Sequence, residues 1–124
     1  MQSRMSGAQN RYRKGAAKER QLKHKLEMYG WYVMRSAGSK GALDLIAIRD
    51  GCVVGFQVKV GGIGRAEMGE LCALAKAMKI PIYAALWDSK RRRWKFVSTD
   101  GSEVAFAAFK PAEGGARKCK RKWS

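Results

Sequence analysis

Four side chains able to do polar chemistry stand where their neighbours are apolar: Glu19, Asp44, Gln57 and Lys59. Gln57 and Lys59 belong to the run GFQVKV, residues 55–60. Strand alternation there puts Phe56, Val58 and Val60 on one face and the amide and ammonium together on the other. Asp44 is flanked by Leu43, Leu45, Ile46, Ala47 and Ile48. A carboxylate in such a run must be paired, hydrogen-bonded or bound to a metal, because an isolated buried charge is very costly. Glu19, Leu22 and Leu26 recur at i, i+3 and i+7, so this carboxylate points with the apolar stripe of a helix. Two carboxylates, an amide carbonyl and an ammonium are the parts that hold a hard divalent cation and orient a water beside a phosphate. Magnesium would take oxygens from Asp44, Gln57 and the backbone carbonyl of Val58, with manganese as a substitute and Glu19 aiding metal or water. Lys59 would position or deprotonate the water. The plainer reading is an internal salt bridge from Lys59 to Asp44 or Glu19, without a chemical role.

Bringing these residues together falls to a hairpin. Asp50-Gly51 lies between ALDLIAIR and CVVGFQVKV, among the strongest short-range hairpin signals. With those two as the turn, opposed residues have numbers summing to 101, so Asp44 lies opposite Gln57 and diagonal to Lys59. A slip of one residue would send Asp44 to the other face. Before the hairpin, a helical pattern begins at Ala16 and ends at Gly30, and WYVMR, residues 31–35, reads as a strand leading into the small-residue loop SAGSKG. After it, the connector GGIG precedes a helix whose stripe, Met68, Leu71, Cys72, Ala75 and Met78, reads as core. The strands IYAALW and WKFVS follow, separated by the turn DSKRRR, and beyond Thr99 the pattern weakens. A helix between strands implies an α/β fold, a mixed sheet flanked by helices in a single domain. The expected division is a flexible basic arm over 1–14, the folded domain over 15–110 and a basic tail over 111–124.

Composition narrows the partner. The chain has 124 residues, 46% of them hydrophobic, enough for one domain with a core. Lysine and arginine total 26 against 10 acidic residues, a net charge of +16, which calls for a polyanion, nucleic acid before an acidic membrane surface. No stretch reaches the ~18 apolar residues of a spanning helix, so no membrane partner is expected. The N-terminus has no apolar signal region, giving an intracellular expectation: cytoplasm or nucleoid, or the host cell for a virus-encoded chain. Cys52, Cys72 and Cys119 are odd in number and widely spaced, indicating neither a disulfide framework nor a zinc site. His24, between two lysines, reads as solvated, and GGIG lacks the context of a dinucleotide site. Arg91, Arg92 and Arg93 read as a DNA clamp ahead of a solvated loop, while Trp94 reads as core.

With these residues in view, RKGAAKER (13–20), VMRSAGSKGALDLIA (33–47) and FQVKV (56–60) resemble the archaeal-type Holliday junction resolvases of the PD-(D/E)xK nuclease superfamily, over roughly residues 12 to 98. The resemblance implies a restriction-endonuclease-like fold and a homodimeric, magnesium-dependent endonuclease that resolves four-way DNA junctions with paired nicks. It casts Glu19 as the helix glutamate, Asp44 as the metal-binding aspartate and Lys59 as the catalytic lysine. Arg20, Arg35, Ser36 and Ser39 fall near the substrate phosphate, with Arg13, Lys14 and Lys40 as further DNA contacts. Two positions depart from the pattern. The remaining metal carboxylate falls on Gln57, and Leu74 and Met78 stand where the family often places aromatics. Three accounts of Gln57 stay open here: the amide suffices in a Q-x-K motif, another acid such as Glu67 or Glu70 is recruited, or cutting is lost and a non-cleaving branched-DNA-binding protein remains.

Overall fold

Asp50 and Gly51 take φ angles of 53° and 81°, the left-handed pair that a two-residue hairpin turn requires. They join β2 (Leu45–Arg49) to β3 (Cys52–Val60), with Arg49 opposite Cys52 and Leu45 opposite Phe56. The sum of 101 therefore holds along all of β2, and the ladder ends one residue short of Asp44, which lies in a bend. The structure, a computed structural model, describes residues 7–36 and 43–110.

A six-stranded sheet runs in the order β1-β2-β3-β4-β5-β6. Besides the hairpin it comprises β1 (Tyr32–Arg35), β4 (Ile82–Asp88), β5 (Arg93–Ser98) and β6 (Glu103–Val104). Only β3 and β4 pair in parallel, because α2 (Arg65–Met78) carries the chain between them, and every other neighbour is antiparallel. The mixed sheet with helices is the architecture expected.

The two faces carry separate cores, and this division decides where the polar residues go. On one face Leu22 and Leu26 of α1 (Gly7–Met28) pack against Val33, Leu45, Ala47, Phe56 and Phe96. On the other, Leu71 of α2 packs against Ile82, Ala84 and Leu86, with Leu43 and Ile63 beside them. Burying each large aliphatic or aromatic side chain contributes about 1.5–3 kcal/mol, so these stripes hold the layers together.

Four differences from the sequence reading stand out, the first three with local causes. The first helix begins at Gly7, ahead of Ala16, because its first turns are polar and show no apolar period. The last segment forms β6 and a single 3-10 turn, Phe106–Phe109, that returns Phe109 to the core under α1. Met78, expected in the α2 stripe, is exposed at the end of its helix, while Leu74 stays within the second cluster. Cys52 is disulfide-bonded, which cysteine spacing did not indicate, and Cys72 is free. No described helix is long and apolar enough to cross a membrane.

Candidate active site

Register fixes the first half of the site. Gln57 pairs with Ala84 and Lys59 with Leu86, so amide and ammonium share the face of the sheet that α2 covers. Backbone direction supplies the next part. In a strand the N–H and C=O of one residue point the same way. Phe56 O and Val58 N face β2, where they meet Asp44 N at 2.8 Å and Asp44 Oδ2 at 2.8 Å, whereas Gly55 N turns toward Pro81 on the β4 side. The carbonyl of Val58 thus faces the gap that opens where β2 has ended.

Asp44 sits at that gap. It stands between the two faces, just before β2, with the Leu43 methyls closing over Gly55: a Cβ there would meet Leu43 Cδ1 at 2.9 Å. The glycine lets the chain approach β3 closely enough for the carboxylate to reach Val58 N–H. Burial pushes the Asp44 carboxyl above its ordinary range, against the opposing pull of the Val58 hydrogen bond and the Lys59 and Arg35 charges. Ser36 N donates to Asp44 O at 2.9 Å, which places this serine beside the aspartate.

Glu19 occupies the α1 side. Its Oε1 accepts from Arg35 Nε at 3.0 Å, with both side chains about four-fifths withdrawn from solvent (18% and 22% exposed). Burial and the neighbouring Asp44 charge raise its carboxyl, and the Arg35 hydrogen bond partly offsets them. Arg20 is exposed and close enough for its charge to act on Glu19 in the same sense as Arg35.

Lys59 differs from the sequence reading. Its ion-pair partner is Glu67 Oε2 from the first turn of α2, not Asp44 or Glu19. Glu67, read from sequence as a solvated helix residue or a recruited acid, is therefore a neighbour of the site, while Glu70 is solvent-exposed. Only its place three residues into a helix that follows directly on the motif strand signalled this. Ser39 and Lys40 lie outside the described residues, as do the side chains of Arg13 and Lys14. His24 and Arg91 to Arg93 are exposed, and Trp94 packs at the margin of the α1-side core.

Gln57 Oε1 tests whether a cation fits. It is buried and has no hydrogen-bond partner among the described residues, an exposed cost of about 1–3 kcal/mol that an oxygen-seeking cation would relieve. No three His, Cys, Asp or Glu side chains converge on a metal position among the described residues. The candidate donors are of mixed type: the Asp44 carboxylate, the Gln57 oxygen and the Val58 carbonyl, all oxygens of the kind that would suit magnesium. These residues fit the ion.

Known proteins resemble the chain in family and in fold. A family model for the archaeal Holliday junction resolvase (hjc) matches residues 10–103. Crossover junction endodeoxyribonuclease Hjc of Methanocaldococcus jannaschii is 56% identical over 50 residues, which make up 40% of this chain and 37% of that protein, well under two thirds of the relative's length. The solved structure of Hjc from Archaeoglobus fulgidus, a Holliday junction resolvase from an archaeal hyperthermophile, matches with a TM-score of 0.59 at 21% identity, covering 77% of this chain and 87% of that one. The fold is thus that of the restriction-endonuclease-like nucleases. Because the family match runs from α1 through the motif strand and into β6, the chain belongs to the archaeal Holliday junction resolvase family.

Proposed function

We propose that this protein is a magnesium-dependent endonuclease that resolves four-way DNA junctions. The observation that carries the reading is the buried Gln57 Oε1, without a partner among the described residues, on the same strand face as Lys59 and one residue from the Val58 N–H that Asp44 holds. Magnesium, when bound, supplies Lewis-acid stabilisation of the phosphate and a more acidic water. Asp44, Gln57 and the Val58 carbonyl hold it. Lys59 aligns the attacking water and offsets charge that builds on the phosphate, and Glu19, fixed by Arg35, orients metal or water from the α1 side. Arg20, Arg35, Ser36 and Ser39 bind the phosphate region, with Arg13, Lys14 and Lys40 reaching the flanking backbone.

Family membership and the charge of +16 support a DNA substrate. Each phosphate neutralised contributes about −0.9 to the slope of log affinity against log salt, so binding falls steeply as salt rises. Phosphate contacts carry no base readout, hence shape selects the substrate more than sequence does. Two symmetric cuts require two sites related by a two-fold axis, so the working form is a homodimer. Exposed Tyr32 and Met34 on β1, on the sheet face opposite α1, offer apolar surface for such a partner.

The decisive experiment is cleavage of a labelled four-way junction, with magnesium and with chelator, by the parent chain, Gln57→Glu and Asp44→Asn. Paired magnesium-dependent nicks that vanish in Asp44→Asn are expected from the parent. A second reading, a non-cleaving branched-DNA-binding protein of the same fold, is favoured by the amide at position 57 alone. Tight binding without cutting, with nicks restored in Gln57→Glu, would select it.

A further inference from the structure

The partly buried charged groups at the site can be counted one by one, setting aside exposed Arg20, whose charge solvent and salt screen. Asp44 and Glu19 are balanced by Arg35 and Lys59, and Gln57 adds nothing, so those residues alone are neutral and would attract a divalent cation poorly. Glu67 changes the sum. Its Oε2 pairs with Lys59 Nζ, and its Oε1 accepts Gly64 N–H at 3.2 Å, so both oxygens are held. The short connector between Val60 and Arg65 turns α2 straight back over the end of β3, which is why a residue three positions into the helix reaches the motif lysine. With Glu67 included these partly buried groups carry one net negative charge, the same total that a glutamate at position 57 would give without it. The pair is too exposed, at 33% and 41%, to matter much for stability, so its weight falls on the site.

We propose that Glu67 is a positioning residue which, through Lys59, returns from α2 the negative charge that the amide of Gln57 withholds from the strand. This rests on the metal-dependent reading above. It assigns Glu67 no contact with the reacting phosphate: it holds the ammonium in place and lowers the potential that a cation meets.

The test is calorimetric titration of the DNA-free full chain with Mn2+, for the parent, Glu67→Gln, Gln57→Glu and the double variant. A glutamine at 67 still offers Gly64 an acceptor, and thermal unfolding in chelator verifies that each variant is folded. Glu67→Gln should weaken Mn2+ binding by up to about tenfold, the order of effect of one unit charge on a nearby divalent ion in a water-like dielectric. The double variant, with its carboxylate moved to the strand, should recover to within about threefold of the parent. Unchanged affinity in Glu67→Gln, or a double variant as weak as that single one, overturns the proposal. If Gln57→Glu binds Mn2+ and the parent does not, the proposal fails while the site survives. If neither binds, the metal-dependent reading fails and takes the proposal with it.

Discussion

Asp44 Oδ2 accepts the main-chain N–H of Val58 at 2.8 Å, across the point where β2 stops and β3 runs on. Burial nevertheless holds the Asp44 carboxyl above its ordinary 3.8, and Glu19 is likewise raised above 4.5. A raised carboxyl means that the folded protein binds the proton more tightly than the unfolded chain. Stability contributed by these groups therefore falls as pH rises from the unfolded values to the higher folded ones, and the whole penalty is present at neutral pH. Asp44→Asn keeps an acceptor for Val58 and removes the charge. In chelator near neutral pH its melting temperature should equal or exceed that of the parent, with the gap closing toward about pH 4. Thermal unfolding across this range checks it, and a variant much less stable at neutral pH would show that the charge itself holds β2 to β3.

Gln57 makes a second stability prediction. Because its Oε1 is buried without a partner among the described residues, replacement by methionine, similar in length and apolar, removes a desolvated acceptor. Gln57→Met should gain about 1 kcal/mol or more in urea unfolding with chelator while losing junction cleavage. A loss of stability instead would mean that the amide is satisfied where it lies.

The hairpin was legible in the sequence because a two-residue turn leaves one register, and the shared face of Gln57 and Lys59 followed from alternation along β3. Glu19 was legible through its helical spacing with Leu22 and Leu26, both fully buried. The partners of the charges were not. Arg35 could as well have pointed to solvent, and Glu67 meets Lys59 only through the path of the connector, which no periodicity encodes. The closing turn was missed because Phe106 and Phe109 stand among small and polar residues, too few to make a pattern.

Arg35 is expected to matter to the fold as well as to DNA. It is the ion-pair partner of half-buried Glu19, and its hydrogen bond and charge oppose the rise of that carboxyl. Arg35→Met should raise the Glu19 titration further, as read by carbon NMR of the carboxyl, and cost about 1–3 kcal/mol by leaving a partly buried acid unmatched. Adding Glu19→Gln should recover much of that loss. Two losses that simply add would mean that the pair is not coupled.

Phe109 tests how the far end of the chain supports the site. Its ring, 4% exposed, meets Phe56 at 5.3 Å, Tyr83 at 5.2 Å and Phe96 at 5.2 Å. Its carbonyl accepts Trp31 Nε1 at 2.8 Å and Arg49 Nη1 at 3.1 Å. Phe56 lies immediately before Gln57, so this packing backs the motif strand from the face opposite Gln57 and Lys59. Phe109→Ala should cost about 3–5 kcal/mol from lost burial and the cavity left behind. Truncation after Val104 removes that ring and carbonyl together with the Phe106 ring stacked on Tyr29 and Phe96 and with Cys119, strands the indole N–H of Trp31 beside the core, and should cost clearly more than the point variant. Urea unfolding of both chains measures the difference, and equal stabilities would mean that nothing after Val104 supports β3 beyond the Phe109 ring.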